Sequence, residues 1–278
     1  MTVFLSLLTA AIFGTGDFFG GLAAKRAAIL QVVAGSHFVG LIGVLFTALL
    51  IAEEFSMRAL LLGAAGGVFG GLGVGLLYRR LAVGPMAVVA PITAITSAAV
   101  PALWAVLTGD SLSGLAWAGV AVALLAIGLV SYSDDGTSAD VSASVVAESL
   151  LAGVGFGTFF IFLDATESVH APWPVVGARV ATSASLILFL FAKRREFVPR
   201  TKVAAGLIAA TGVLDTVSNV IFLYAANRGS LTIVAVLSSL YPISTVVLAR
   251  LVLAERMTRA QLAGFVAALV ATGLIAAG

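Results

Sequence analysis

Residues 84 to 130 align without a gap with residues 229 to 275, and this internal duplication limits the fold more than any single motif does. Gly84 pairs with Gly229, Val89-Ala90 with Val234-Ala235, Asp110 with Glu255, Ala118-Gly119 with Ala263-Gly264, and Gly128-Leu129 with Gly273-Leu274. The front ends match at a slightly different offset. Ser6-Leu7-Leu8 and Phe13-Gly14-Thr15 return as Ser149-Leu150-Leu151 and Phe156-Gly157-Thr158. An acid and several glycines held at fixed register are not compositional noise, so the chain is expected to contain one unit twice: residues 1–132, a hinge at 133–146, and residues 147–278.

The unit is a membrane unit. Hydrophobic residues make up 61% of the chain and charged residues 10%, where a soluble globule carries about a quarter charged. About 20 apolar residues cross the hydrocarbon core. Ten such stretches fit, near 3–22, 30–51, 59–78, 85–107, 113–132, 147–166, 174–192, 203–223, 231–253 and 260–277. The expected fold is all-α and integral to the membrane, with five helices per unit. Little chain remains outside the spans, so no soluble catalytic domain and no enzymatic activity is expected. There is no cysteine, which excludes disulfides and thiol chemistry. No cofactor, metal or nucleic acid partner is implied, and the N-terminus lacks the positive region of a cleavable signal.

Basic residues crowd into alternate loops. Lys25, Arg26, Arg79, Arg80, Lys193, Arg194, Arg195, Arg200, Lys202, Arg256 and Arg259 fall in the odd-numbered loops, and only Arg58 and Arg228 in the even ones. The positive-inside rule then puts both termini outside the cytoplasm. Five is an odd number, so the two units must cross in opposite senses, an inverted-topology repeat of the kind that secondary transporters use to build a site at mid-membrane.

Polar residues inside the spans mark candidate sites. Helices 4 and 9 occupy equivalent positions in the two repeats and both carry prolines, Pro91 and Pro101 in one and Pro242 in the other, with hydroxyls beside them: Thr93, Thr96, Ser97, Ser238, Ser239, Tyr241 and Ser244. Proline frees a carbonyl that lipid cannot satisfy, so these helices are expected to be interrupted, with the prolines as hinges beside a binding site. Asp17 in helix 1 and Asp215 in helix 8 lie far from the ends of their spans, where a carboxylate costs at least ~2.5 kcal/mol and must face protein or water. Neither has an acidic partner in the other repeat. Asp215 stands one turn from Thr211 and one turn from Asn219, a polar stripe whose donors would hold its charge. Asp215 is thus the expected partner of a substrate ammonium. Asp17, on a glycine-rich helix that can shift, is the expected proton carrier. Phe18, Tyr78 and Phe159 are aromatic candidates for stacking on a substrate.

Other polar positions read as structural. His37 and Arg179 sit about two turns from the ends of helices 2 and 7, as anchors at a polar boundary, and no residue stands out as the partner of Arg179. Glu148, Asp164 and Glu167 lie near helix ends and are expected to be solvated. In helix 3, Gly63, Gly67, Gly71 and Gly75 recur every four residues beside Gly66 and Gly70, a track that admits another backbone closely. Gly14-Thr15-Gly16-Asp17 and Pro101-Ala102-Leu103 also spell the G-x-G-D and P-A-L patterns of intramembrane aspartyl proteases. Those enzymes place a second acid before G-x-G-D, and none precedes residue 17.

One family gathers these features. Phe13-Gly14 with Lys25, Ala178-Arg179, Tyr224, Gly229-Ser230, Tyr241-Pro242, Ala254-Glu255-Arg256, Gly264 and Gly273 make the chain similar to the ten-helix EamA-type branch of the drug/metabolite transporter superfamily. The first half departs from that pattern at Asp110, where glutamate is usual, and at His37, near the usual arginine. The resemblance implies a basket whose central cavity is lined by helices 1, 3, 4, 6, 8 and 9, with helices 5 and 10 outside. It implies transport of small metabolites, including aromatic amino acids, and also of drugs and nucleosides. The expectation is an inner-membrane carrier that exports small, amino-acid-like metabolites by alternating access. A proton-coupled exporter of cationic drugs is the alternative, and a cation channel or Mg²⁺ permease a more distant one.

Overall fold

Ser56, Ser113, Thr201 and Thr258 each stand just before a helix and accept a hydrogen bond from an N–H of its first turn. The donors are Ala59 at 3.2 Å, Ala116 at 3.1 Å, Ala204 at 3.2 Å and Gln261 at 3.1 Å. Such caps satisfy N–H groups that the helix itself leaves open. At the last site Gln261 Oε1 accepts from the Thr258 N–H at 3.0 Å, closing a reciprocal box. The computed structural model describes the chain except residues 53, 110–112, 132–141, 167–169, 171, 195, 227–233, 235, 236, 239 and 278.

Ten helices and no strand occur among the described residues: α1 Thr2–Ala24, α2 Ile29–Ile51, α3 Met57–Val83, α4 Met86–Leu107, α5 Gly114–Ser131, α6 Ala143–Asp164, α7 Trp173–Ala192, α8 Lys202–Ala226, α9 Pro242–Leu253 and α10 Arg259–Ala277. Seven of them, α1 to α4 and α6 to α8, are long and apolar enough to cross a membrane; α5, α9 and α10 are shorter apolar helices. The all-helical membrane class expected from the composition is the observed one.

Two boundaries shift for visible reasons. Helix α3 continues past Tyr78 to Val83 because Arg80 stays helical and pairs with Glu148. Helix α6 starts at Ala143, so the last residues of the expected hinge are helical. Residues 132–141, and with them most of that hinge, lie outside the described residues, as does Asp110.

The prolines behave differently from expectation in α4. That helix runs unbroken through Pro91 and Pro101. Each proline removes one ladder bond, yet the surrounding bundle holds the helical path. Gly157 of α6 comes up against the carbonyl of Ser97, the group that Pro101 leaves without its usual donor. Pro242, in contrast, is the first residue of α9 and follows a turn at Leu240 and Tyr241, so the helix does begin at a proline break.

Close packing between helices depends on small residues. In α3, Gly63, Gly67 and Gly71 meet Pro174, Ala178 and Thr182 of α7, and a Cβ on Gly63 or Gly67 would overlap the α7 backbone. The Thr182 hydroxyl donates to the Gly67 carbonyl at 2.8 Å. The adjoining ridge, Gly66 and Gly70, receives Phe159 of α6. The expected glycine track is therefore used on two faces at once. Between α2 and α8 the same device recurs, with Gly35 against Ile208 and Gly43 against Thr216. Helix α1 lies along α8, α3 and α9; α4 lies along α6 and α9; α5 and α10 pack on each other and reach the rest chiefly through α4.

After α9, Ala254 takes the left-handed conformation with φ +55°, as Gly109 does after α4 with φ +101°. The two positions correspond in the duplication. The turn at Ala254 brings Glu255 back to the start of α4, where its carboxylate accepts from the N–H groups of Met86 at 3.2 Å and Ala87 at 3.3 Å. A carboxylate from a distant loop thus caps α4, favoured by the positive end of the helix dipole.

Candidate functional site

Gly20 lets α3 place an aromatic ring on α1. A side chain at Gly20 would overlap the Tyr78 ring, and Tyr78, 6% exposed, lies one turn along α1 from Asp17. On the other side, Gly16 lies against Leu214 of α8 and brings α1 beside Asp215. Asp17, Tyr78, Arg179 and Asp215 all fall within electrostatic reach of one another through Tyr78. The Tyr241 side chain, entering from the proline break before α9, lies near Ser97 of α4 and within electrostatic reach of Asp17. Residues from five helices and the α9 entry turn thus meet in one polar layer inside an apolar bundle.

The layer is organised by an ion pair. Arg179 of α7 donates through Nη2 to Oδ2 of Asp215. Their side chains are 13% and 28% exposed, so the pair is largely removed from solvent. The sequence offered no partner for Arg179; the fold supplies one 36 residues away, on the next helix of the chain. Asn219 also donates to Asp215, through Nδ2 to the backbone carbonyl at 2.7 Å and to Oδ2 at 3.4 Å. The other expected donor does not contribute, because the Thr211 hydroxyl bonds to the Leu207 carbonyl at 2.9 Å. Thr216 donates to the Gly40 carbonyl of α2 at 3.3 Å and fixes α8 beside the strip of α2 that carries His37.

His37 was read as a structural anchor and Arg179 with it, yet both belong to this layer. His37 is 6% exposed, lies close enough to Arg179 to feel its charge, and its Nδ1 has no hydrogen-bond partner among the described residues. Asp17 is half-buried and takes part in no salt bridge among the described residues. The arrangement can offer one unpaired carboxylate, one guanidinium already held by a carboxylate, a buried imidazole and two phenol hydroxyls to a molecule with charges of both signs.

Several expected site residues lie elsewhere. Phe18 is 1% exposed and packs in the core formed around Leu77, Leu81 and Met86. Thr93 is fully buried between α4 and α6, its hydroxyl donated to the Ser149 carbonyl at 3.2 Å. Thr96 bonds within its own helix to Ile92 at 2.8 Å. Phe159 is half-buried against the α3 glycines. Ser238 is buried with no partner for its hydroxyl among the described residues, and Ser239 lies outside them. Glu148 is not solvated as expected. Arg80 binds it through both Nε, at 2.8 Å to Oε2, and Nη2 to Oε1, with Arg79 3.5 Å away.

A solved crystal structure, described only as that of a protein, is 15% identical and superposes with a TM-score of 0.65 over 99% of this chain and 94% of that one. At that identity the likeness concerns the fold alone. No curated protein matches the chain in sequence. The family model for the EamA-like transporter family matches residues 144–277, from the start of α6 to the end of α10. Residues 144–277 of this multi-helix membrane protein match an EamA-like transporter family domain, a likeness that points to a membrane transporter of small molecules.

Proposed function

We propose that the chain is an inner-membrane secondary carrier of small zwitterionic metabolites, amino acids with apolar or aromatic side chains first among them, working by alternating access in the export direction. The observation that carries this reading is the polar layer with Asp17 on one side and the Arg179–Asp215 pair, beside His37, on the other. Buried groups of opposite charge suit a substrate with an ammonium and a carboxylate. In this reading Asp17 takes the ammonium, Arg179 and His37 take the carboxylate, and Tyr78 and Tyr241 border the side chain. Asp215 then acts through Arg179, which it holds in place, more than through the substrate amine.

Alternating access rests on the two halves being inverted copies. Support comes from the packing. Exchanging the halves turns the α1–α8 contact into α6–α3, the α2–α8 contact into α7–α3, and the α1–α9 contact into α6–α4, and all six occur. Gly14 against Thr245 and Gly157 against Val100 form one such exchanged pair of contacts at corresponding positions. Both termini then face outward, as the loop charges indicate.

A proton-coupled exporter of cations is the second reading, favoured by the lack, among the described residues, of a salt bridge to Asp17. Proteoliposomes loaded with labelled amino acids or cationic dyes, with and without a pH gradient, separate the two. Saturable, stereoselective movement of amino acids is expected. Movement of dyes alone, driven by the gradient, would replace the first reading with the second, and non-saturable ion flux would replace both.

A further inference from the structure

Gln31 ties together two loops from different halves of the chain. Its Nε2 donates to the carbonyls of Glu196 at 2.7 Å and Val198 at 3.3 Å, while its Oε1 accepts from the Ala28 N–H at 3.2 Å. The turn between α1 and α2 is thereby fixed against the segment between α7 and α8. Between them lies a cavity of about 390 Å³ lined by Lys25, Arg26, Gln31, Glu196 and Arg200. Arg200 donates to the Glu196 carboxylate at 3.1 Å, so the single acid is already neutralised. Lys25 and Arg26 are exposed and enter no salt bridge among the described residues. The cavity therefore carries an excess of positive charge.

Its surroundings are apolar in one direction only. Phe38, two turns along α2 from Gln31 and 42% exposed, stacks edge-on against Phe197 at 6.4 Å. Val198 is 66% exposed beside it. From Phe38 an exposed apolar stripe continues along α2 through Ile42, Phe46 and Leu49. A cationic, hydrogen-bonding recess at the foot of a bare hydrocarbon surface is complementary to a molecule with an anionic head and an acyl tail.

The geometry points to an anionic phospholipid site here: the headgroup phosphate between Lys25, Arg26 and Arg200, and an acyl chain along Phe38 and the α2 stripe. A lipid seated there bridges the first half of the chain to the second through the same two loops that Gln31 clasps, and so favours the conformation in which they are together.

Native mass spectrometry of the delipidated full-length protein tests this, using phosphatidylglycerol and phosphatidylcholine with identical chains. Wild type is expected to retain phosphatidylglycerol preferentially. Lys25→Gln, Arg26→Gln and Arg200→Gln should each weaken that retention about fivefold, the worth of one basic residue near an anionic lipid, and leave phosphatidylcholine unchanged. Glu196→Gln should strengthen it. The control R58Q/R256Q/R259Q removes three cations elsewhere and should retain the wild-type preference. Equal retention of the two lipids by wild type, or equal loss in the control and in K25Q/R26Q/R200Q, would overturn the site. If the triple variant does not fold, the Glu196→Gln gain decides alone, and its absence counts against the site.

Discussion

Arg179 of α7 and Asp215 of α8 pair beside α2, on which both helices pack, and each is the reason the other can be there. A lone charge in a bundle of this kind is costly, and breaking a buried pair by removing one member costs more than removing both. The pair keeps some solvent exposure, which reduces its worth. Arg179→Gln and Asp215→Asn are each expected to lower stability in detergent by about 2 kcal/mol, while the double variant loses less than the sum. Thermal melting of the four proteins in one detergent gives the coupling. Additive losses would mean that the two residues do not act as a unit.

Gly67 and Gly75 lie on the same track of α3 but in different surroundings. A Cβ at Gly67 would overlap the backbone of Ala178, and one at Gly75 would meet nothing within 4 Å. Gly67→Ala is expected to lower stability by about 1–3 kcal/mol through forced separation of α3 and α7. Gly75→Ala should be neutral or raise stability by up to about 1 kcal/mol, since alanine is the better helix former. Melting temperatures moving in the same direction by the same amount would show that the track is not a contact surface.

The helices were legible in the sequence because lipid leaves the backbone no other solution, and a span of apolar residues states its own length. Tertiary pairing was legible only in part. Asp17 and Asp215 announced themselves as charges far from any helix end. Arg179, about two turns from the end of its helix, stood out less, and its partner sits on another helix that the sequence does not mark as near. The prolines of α4 suggested a break, yet whether a proline interrupts a helix depends on what packs around it, which only the fold decides. Glu148 was misjudged for the same reason. Its position near a helix start is solvated in a lone helix, and it is not solvated when α3 runs five residues further and lays Arg80 over it.

Arg80 joins the two halves of the chain through Glu148, and the duplication places no such pair at the other end. The positions corresponding to Arg80 and Glu148 are Ala225 and Leu5, both apolar. Glu148→Gln is expected to weaken closure at the α3–α6 end alone, raising the labelling of a cysteine placed at Ser142 relative to one placed at Val3 several-fold. The exchange R80E/E148R should restore the wild-type ratio. Unchanged labelling in Glu148→Gln would show that the pair holds the fold without bearing on access.

Ala254 carries a left-handed backbone where the first repeat has glycine at Gly109. That conformation costs a non-glycine residue roughly 1 kcal/mol, so Ala254→Gly is expected to raise stability by up to that amount. Glu255→Gln keeps the shape but loses the charge that caps α4, and should lower stability by about 1 kcal/mol. Chemical denaturation in mixed micelles measures both. The pair is informative because the turn exists to deliver Glu255: with Glu255→Gln already in place, Ala254→Gly should still give its full gain, since it acts on the backbone alone.

Asp17 and Asp215 should differ in how they respond to acid. Asp17 has no salt bridge among the described residues and lies one turn from Gly20, where the Tyr78 ring meets α1, on a helix that also holds Gly14, Gly16 and Gly21. An acid free to bind an ammonium is also free to bind a proton, so substrate and protons compete for it. Asp215 is committed to Arg179 and Asn219 in the same structure. In wild type the apparent KM for an amino acid is therefore expected to rise as the pH on the loading side falls. Asp17→Asn removes the competition: its KM should be about tenfold higher at neutral pH, the worth of one charged hydrogen bond, and should no longer vary with pH. Asp215→Asn should keep the pH dependence and instead lower affinity for the carboxylate end, so that an amino acid amide suffers less than the free amino acid. Initial rates in proteoliposomes at several pH values, with the amino acid and its amide side by side, measure both effects. A wild-type pH profile in Asp17→Asn would remove this carboxylate from the transport cycle.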